Sequence, residues 1–126
     1  MDTRTILRRS IATATLFASL HAIAGAPAVV SGNDAALRAA DVTRDYGLST
    51  DKTECLLFDT ADKGSYFLVR VRENHTEACG GAAGVSPALF FMKIRKHDGH
   101  IVTTAYDSEH YRPLKPLGQN PGRAKD

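Results

Sequence analysis

Three side chains capable of chemistry lie close together in the middle of the chain: His75, Glu77 and Cys79. A thiol next to a histidine can form a catalytic nucleophile, and the same residue types can bind metal. The chain has one other cysteine, Cys55, and a disulfide between the two would remove the thiolate that catalysis requires. We therefore predict a Cys55–Cys79 disulfide, with a reactive thiol or a buried unpaired thiol as the alternatives.

The sequence offers weaker patterns for a metal site and for a phosphate-binding loop. His97 and His100 flank an Asp-Gly turn and could share an ion, but the sequence places no third and fourth ligand at metal spacing near them. Gly80-Gly81 lacks the lysine and hydroxyl residue of a phosphate-binding loop. The pattern predicts neither catalytic residues nor a metal or cofactor site. A small hydrolase using His75 with Glu77 is the enzymatic alternative.

The N-terminus has the pattern of a secretory signal peptide. Three arginines occur among the first nine residues, and residues 11–24 form an apolar stretch ending in small residues. That stretch is shorter than the roughly 20 apolar residues of a membrane span. We predict a signal peptide over residues 1–24, with cleavage after Ala24 or, as a second candidate, after Ala28. The expected product is periplasmic and has no membrane span.

Removal of residues 1–24 changes the charge of the protein. The whole chain has a formal charge of +2, whereas the remainder has 13 basic and 13 acidic residues. A neutral domain without a basic patch is not expected to bind nucleic acid. About 100 residues form one domain with a small core, for which a disulfide is a common supplement in exported proteins.

The mature chain is predicted to begin with an amphipathic helix. Ser31 to Asp34 supply N-cap residues, and apolar positions then recur at helical spacing. The positions expected to face the core are Ala35, Ala39, Val42 and Tyr46.

A run of strands follows the helix. Phe67, Val69 and Val71 alternate with polar residues, which is typical of a strand with one buried face, and Asp98-Gly99 predicts a two-residue hairpin turn. The predicted strands cover residues 54–59, 65–73, 88–96 and 101–106. We predict an α+β fold in which one N-terminal helix packs on a curved antiparallel sheet of about four strands, a cystatin-like or PepSY-like outline. The domain is expected over residues 25–112, and residues 113–126 form a flexible tail.

Between the second and third predicted strands lies a glycine-rich segment, residues 74–87. Irregular segments of this length are uncommon in small domains unless they have a function or are held in place. A disulfide at Cys79 would reduce the free energy needed to order this segment on binding. The predicted partner-binding residues are Glu73, Asn74, His75, Glu77, Gly80 and Gly81. An ordinary long connection is the alternative interpretation.

The same region resembles a group of small exported proteobacterial proteins that confer immunity to peptidoglycan-cleaving type VI secretion effectors. The resemblance is carried by the segments 71–75, 79–81 and 86–90 and by Gly99. It departs from the pattern at Ala82-Ala83, where the group has Asp-Pro. The resemblance implies a periplasmic protein that binds and blocks a cell-wall amidase or a related hydrolase.

These observations lead to two hypotheses. In the first, the protein is an immunity or inhibitor protein that occludes a secreted cell-wall hydrolase through the segment around Cys79. In the second, it is a non-enzymatic accessory or structural domain of the periplasm, of the PepSY-like kind, which binds through its sheet.

Overall fold

The computed structural model describes residues 27–117, so the predicted signal peptide and the end of the predicted tail lie outside the described residues. One helix packs on a five-stranded antiparallel sheet, which confirms the predicted α+β class. The elements are helix α1 (Gly32–Asp45), a short 3-10 helix (Thr53–Cys55), and strands β1 (Leu56–Asp62), β2 (Tyr66–Glu73), β3 (Ala88–Arg95), β4 (Ile101–Thr103) and β5 (Arg112–Pro113).

Helix α1 begins at the predicted cap. The hydroxyl of Ser31 accepts a hydrogen bond from the Asp34 amide at 3.1 Å, which satisfies one of the free N–H groups of the first turn. Ala35 and Ala39 are buried as expected. Thr43 completes the buried stripe, and its hydroxyl donates to the Ala39 carbonyl at 2.7 Å, so no polar atom of this side chain is left unpaired in the core.

The sheet follows chain order, each strand pairing antiparallel with the next. The alternation predicted from the sequence is confirmed, because Phe67, Val69 and Val71 on β2 are all buried. The inward residues of β3 are buried beside them, with Val69 opposite Met92 in the register. These side chains and the two helix alanines form one apolar core.

The C-terminal end of the domain differs from the prediction. Strand β4 ends at Thr103 rather than at residue 106, and Arg112–Pro113 adds a fifth strand. Leu114 packs against the core. Pro113 and Leu114, which the sequence analysis placed in the tail, therefore belong to the domain. A two-residue strand has no alternation by which the sequence could reveal it.

The β3–β4 hairpin forms as predicted, but its turn is longer than two residues. The Gly99 N–H donates to the Arg95 carbonyl at 2.8 Å, and the Arg95 N–H donates to the His100 carbonyl at 2.9 Å. The turn therefore spans residues 96–100, with Gly99 at a φ of 68°. Only glycine adopts such a φ readily.

The segment before helix α1 packs against this turn. Val29 is buried, and its N–H donates to the carbonyl of Lys96 at 2.9 Å. Residues close to the predicted cleavage sites are thus part of the folded domain.

The face of the sheet opposite helix α1 is open within residues 27–117. Arg70 is exposed there, whereas Leu68 and Phe91 are half-buried and line a shallow cleft of about 290 Å³. Lys93, on the same face, has its ammonium group 4.1 Å from the centre of the Tyr111 ring.

Candidate functional site

The segment of residues 74–87, called here the Cys79 loop, connects the end of β2 to the start of β3. The predicted disulfide is confirmed: Cys79 is bonded to Cys55, and their Cα atoms are 5.6 Å apart. Next to this bond the Asn74 N–H donates to the Cys55 carbonyl at 2.8 Å. The start and the middle of the loop are therefore both attached to the residues that lead into β1.

The ring of His75 lies at the centre of the loop. Its Nδ1 is 2.8 Å from the carbonyl oxygen of Ala82, and its Nε2 is 2.5 Å from a carboxylate oxygen of Glu73. Both partners accept hydrogen bonds, so the ring makes both bonds only when both nitrogens carry a proton, that is, as an imidazolium. The side chain of His75 is only 13% exposed. The ring thus joins the end of β2 to the far side of the loop.

The same contacts determine the titration of His75. The Glu73 carboxylate and the Ala82 carbonyl raise the pKa of His75 above its ordinary value, because each stabilises the protonated ring; burial acts in the opposite direction. Asp51 adds a weaker attraction.

Gly81 is required by its contact with this ring. Its φ is 88°, and a Cβ atom added to it would lie 2.5 Å from Cδ2 of His75. Any other residue would both adopt an unfavourable φ and collide with the ring. Gly81 therefore allows the loop backbone to close over the ring of His75.

The end of the loop is held by hydrogen bonds to β2. The Ser86 hydroxyl donates to the Glu73 carbonyl at 2.5 Å and accepts from Arg72 at 2.7 Å. The Glu73 N–H donates to the Pro87 carbonyl at 3.0 Å. Arg72 also binds Asp59 on β1 through two hydrogen bonds of 2.5 and 3.0 Å, which lower the pKa of Asp59. The loop is consequently tied to both strands at this end of the sheet.

The predicted binding residues have different roles in this arrangement. Glu73 and His75 form an ion pair within the domain. They line a polar cleft of about 230 Å³, together with Asp51, the two cysteines, Asn74, Gly80 and Gly81. Glu77 lies outside this cluster and is exposed. Sequence reasoning did not identify Val85, which is 52% exposed although it is apolar. The one sequence feature that could have indicated this exposure is the position of Val85 in the glycine-rich loop.

Sequence reasoning also missed the residues that hold the loop, namely Ser86, Arg72 and the carbonyl of Ala82. The Ser-Pro pair at the end of the loop was a signal of a turn. By contrast, nothing in the local sequence indicated that Arg72 would bind Ser86 or Asp59.

The chemistry available to the cluster follows from these bonds. The sulfur atoms are joined to each other, and both nitrogens of His75 are used as donors within the loop. A ring that already holds two protons cannot act as a general base. The geometry favours a structural role for His75.

Within residues 27–117 there is no group of three or more His, Cys, Asp or Glu side chains placed to hold a metal ion. No helix in the same residues has the length and apolarity needed to cross a membrane. No family model matches the sequence, and neither the curated proteins nor the solved structures include a significant match.

The first prediction concerns the protonation of His75. Because its pKa is raised in the folded protein, the ion pair stabilises the fold fully below the ordinary pKa of about 6.5, and this contribution is lost as pH rises through the folded pKa. His75→Gln keeps one donor but removes the charge. We expect the stability difference between the wild type and His75→Gln, measured by urea unfolding, to be largest at mildly acidic pH, about 5 to 6, and to shrink at alkaline pH. A difference that is constant with pH would contradict the imidazolium assignment.

The second prediction concerns the disulfide. Replacing both cysteines by alanine should lower the free energy of unfolding by about 3 kcal/mol, because the unfolded chain regains the freedom of the loop that the bond closes. The far-ultraviolet circular dichroism should remain that of the native sheet and helix. The wild type treated with a reducing agent serves as the control and should show the same loss. A loss below about 1 kcal/mol would mean that the other bonds suffice to hold the loop.

Proposed function

We propose that this protein is an exported inhibitor that binds and occludes a peptidoglycan-cleaving enzyme, acting as an immunity protein through the Cys79 loop. The observation that supports this most is that the loop makes a disulfide and several hydrogen bonds within the domain itself. A preformed binding loop loses little conformational entropy on association, and this favours tight binding. Val85 and Glu77 are among the exposed side chains that this loop presents to a partner.

The resemblance to the immunity proteins adds support. Its motif includes Glu73, His75, Cys79, Gly81 and Ser86, which are the residues that build the loop here. The residues of the motif therefore determine the conformation of the loop. The position at which this chain departs, Ala82, contributes a main-chain carbonyl to His75, and any residue can supply that group.

Export to the periplasm is part of the proposal. The arginines and the apolar stretch of residues 1–24 motivate it, and a disulfide is typical of proteins that reach an oxidising compartment. Of the two candidate cleavage sites, the one after Ala24 suits the fold better. Cleavage after Ala28 would place a charged amino group on Val29, which is buried with its N–H bonded to Lys96.

The third prediction tests export and cleavage. The protein expressed with its full N-terminus should be found in the periplasmic fraction, with an intact mass matching a chain that begins at Gly25 and contains no free thiol. Replacing the three N-terminal arginines by glutamate is the control and should leave the full-length chain inside the cytoplasm. A wild-type chain recovered intact from the cytoplasm would contradict the proposal.

The alternative function, a non-enzymatic accessory domain of the PepSY-like kind, rests on a different surface. The open face of the sheet carries the half-buried Leu68 and Phe91 over a shallow cleft. A partner that binds there would not need the Cys79 loop.

The fourth prediction separates the two functions. Substitution of Glu73 or His75 would change the conformation of the loop as well as its contact with a partner. Exposed residues therefore test binding more directly. With any secreted hydrolase encoded next to this gene as the partner, Val85→Asp should weaken binding at least about tenfold, because a charge would replace an apolar contact. Val30→Asp is the matched control, since Val30 is also exposed, at 79%, and lies outside the loop; it should bind normally.

Leu68→Asp completes the comparison. If Leu68→Asp abolishes binding while Val85→Asp does not, the accessory function through the sheet is favoured. Failure of the wild type to bind any adjacent secreted hydrolase would contradict the inhibitor proposal.

A further inference from the structure

A third cleft lies at the opposite end of the sheet from the Cys79 loop, between helix α1 and the β3–β4 turn. Its volume is about 520 Å³, within the range of small-ligand sites. The residues that line it come from the helix and its C-cap, the turn, β4, β5 and the residue after β5, and they include Arg38, Asp41, Val42, Gly99, Ile101 and Leu114.

Arg38 is fixed in this cleft by its contact with Gly99. A Cβ atom added to Gly99 would lie 2.9 Å from Cζ of Arg38 and 3.0 Å from Nη2. The guanidinium therefore rests against the backbone of the turn at the one position that has no side chain. This contact holds the charged group beside the cleft although Arg38 and Gly99 are far apart in sequence.

Arg38 has no hydrogen-bonding partner in the described part of the chain. Its Nε is buried and unsatisfied. Other arginines of the domain are paired; Arg70, for example, lies 3.0 Å from Asp59. A buried donor of a charged group without a partner destabilises a fold and is rare in native proteins. A ligand cannot reach Nε, but the terminal nitrogens of Arg38 are neither buried nor hydrogen-bonded within residues 27–117, so they can bind one.

We propose that this cleft binds an organic carboxylate attached to an apolar body. The terminal nitrogens of a guanidinium match the two oxygens of a carboxylate and bind them through parallel, charge-assisted hydrogen bonds. Val42, Ile101 and Leu114 line the same cleft and provide the apolar contact. Asp41 is the one acidic residue among the lining residues, and its carboxylate is 3.1 Å from Arg44, which offsets its repulsion of an anion.

A carboxylate of this kind has two sources, a small organic acid or the C-terminus of a peptide that ends in an apolar residue. Both present the same group to Arg38. The cleft is at the other end of the sheet from the Cys79 loop, so the proposal is independent of the inhibitor function.

The fifth prediction is tested by nuclear magnetic resonance titration of the processed wild-type protein with four probes. The acids are 4-phenylbutyrate and the peptide acetyl-Ala-Leu-Phe with a free carboxylate, and the neutral counterparts are 4-phenylbutyramide and the same peptide amidated. At least one acid should bind at least about tenfold more tightly than its amide and shift the amide signals of Gly99 and Ile101. Binding by the small acid alone or by the peptide alone supports the proposal and identifies the source.

Two variants complete the test. Arg38→Met should abolish the preference for the acid, whereas Arg70→Met, which removes an arginine on the open face of the sheet, should not. In the absence of ligand, Arg38→Met should melt at the wild-type temperature or up to about 5 °C above it, because the unsatisfied donor is gone. Arg70→Met should give no such rise. The proposal is overturned if neither acid binds, if acids and amides bind equally, or if Arg38→Met melts several degrees below the wild type.

Discussion

The protonated ring of His75 is the interaction on which the candidate binding loop depends. It connects Glu73, the last residue of β2, with the carbonyl of Ala82 on the far side of the loop, and Gly81 packs directly against it. A neutral ring could satisfy only one of the two acceptors. The contact with Gly81 and the polar cleft beside the loop depend on this ring, assisted by the disulfide to Cys55.

In this fold the core fixes the positions of the strands, and the candidate sites lie in the segments that connect the strand ends. The helix and the inward side chains of β2 and β3 form a small apolar core that fixes the strand ends. At one end of the sheet these strand ends support the Cys79 loop, and at the other end the β3–β4 turn supports Arg38. We propose a separate role for each of these two surfaces, binding of a protein partner at the loop and of a carboxylate at the cleft.

Much of the fold was predictable because it depends on local patterns. The alternation of Phe67, Val69 and Val71 and the cap at Ser31 are visible within a few residues of sequence, and the disulfide follows from there being only two cysteines. The remainder depends on contacts between distant residues. Arg72 with Ser86 and Arg38 with Gly99 have no local signature. The sequence predicts a binding role for His75, whereas its bond to the main-chain carbonyl of Ala82 has no sequence signal.

The central claim is that the Cys79 loop is held in one conformation without a partner. It is tested most directly by backbone ¹⁵N relaxation of the free protein at neutral pH. Order parameters of about 0.85 for residues 75–86, equal to those of β2 and β3, are the predicted result. Values below about 0.6 across the loop would contradict the account, because the loop would then be flexible before binding.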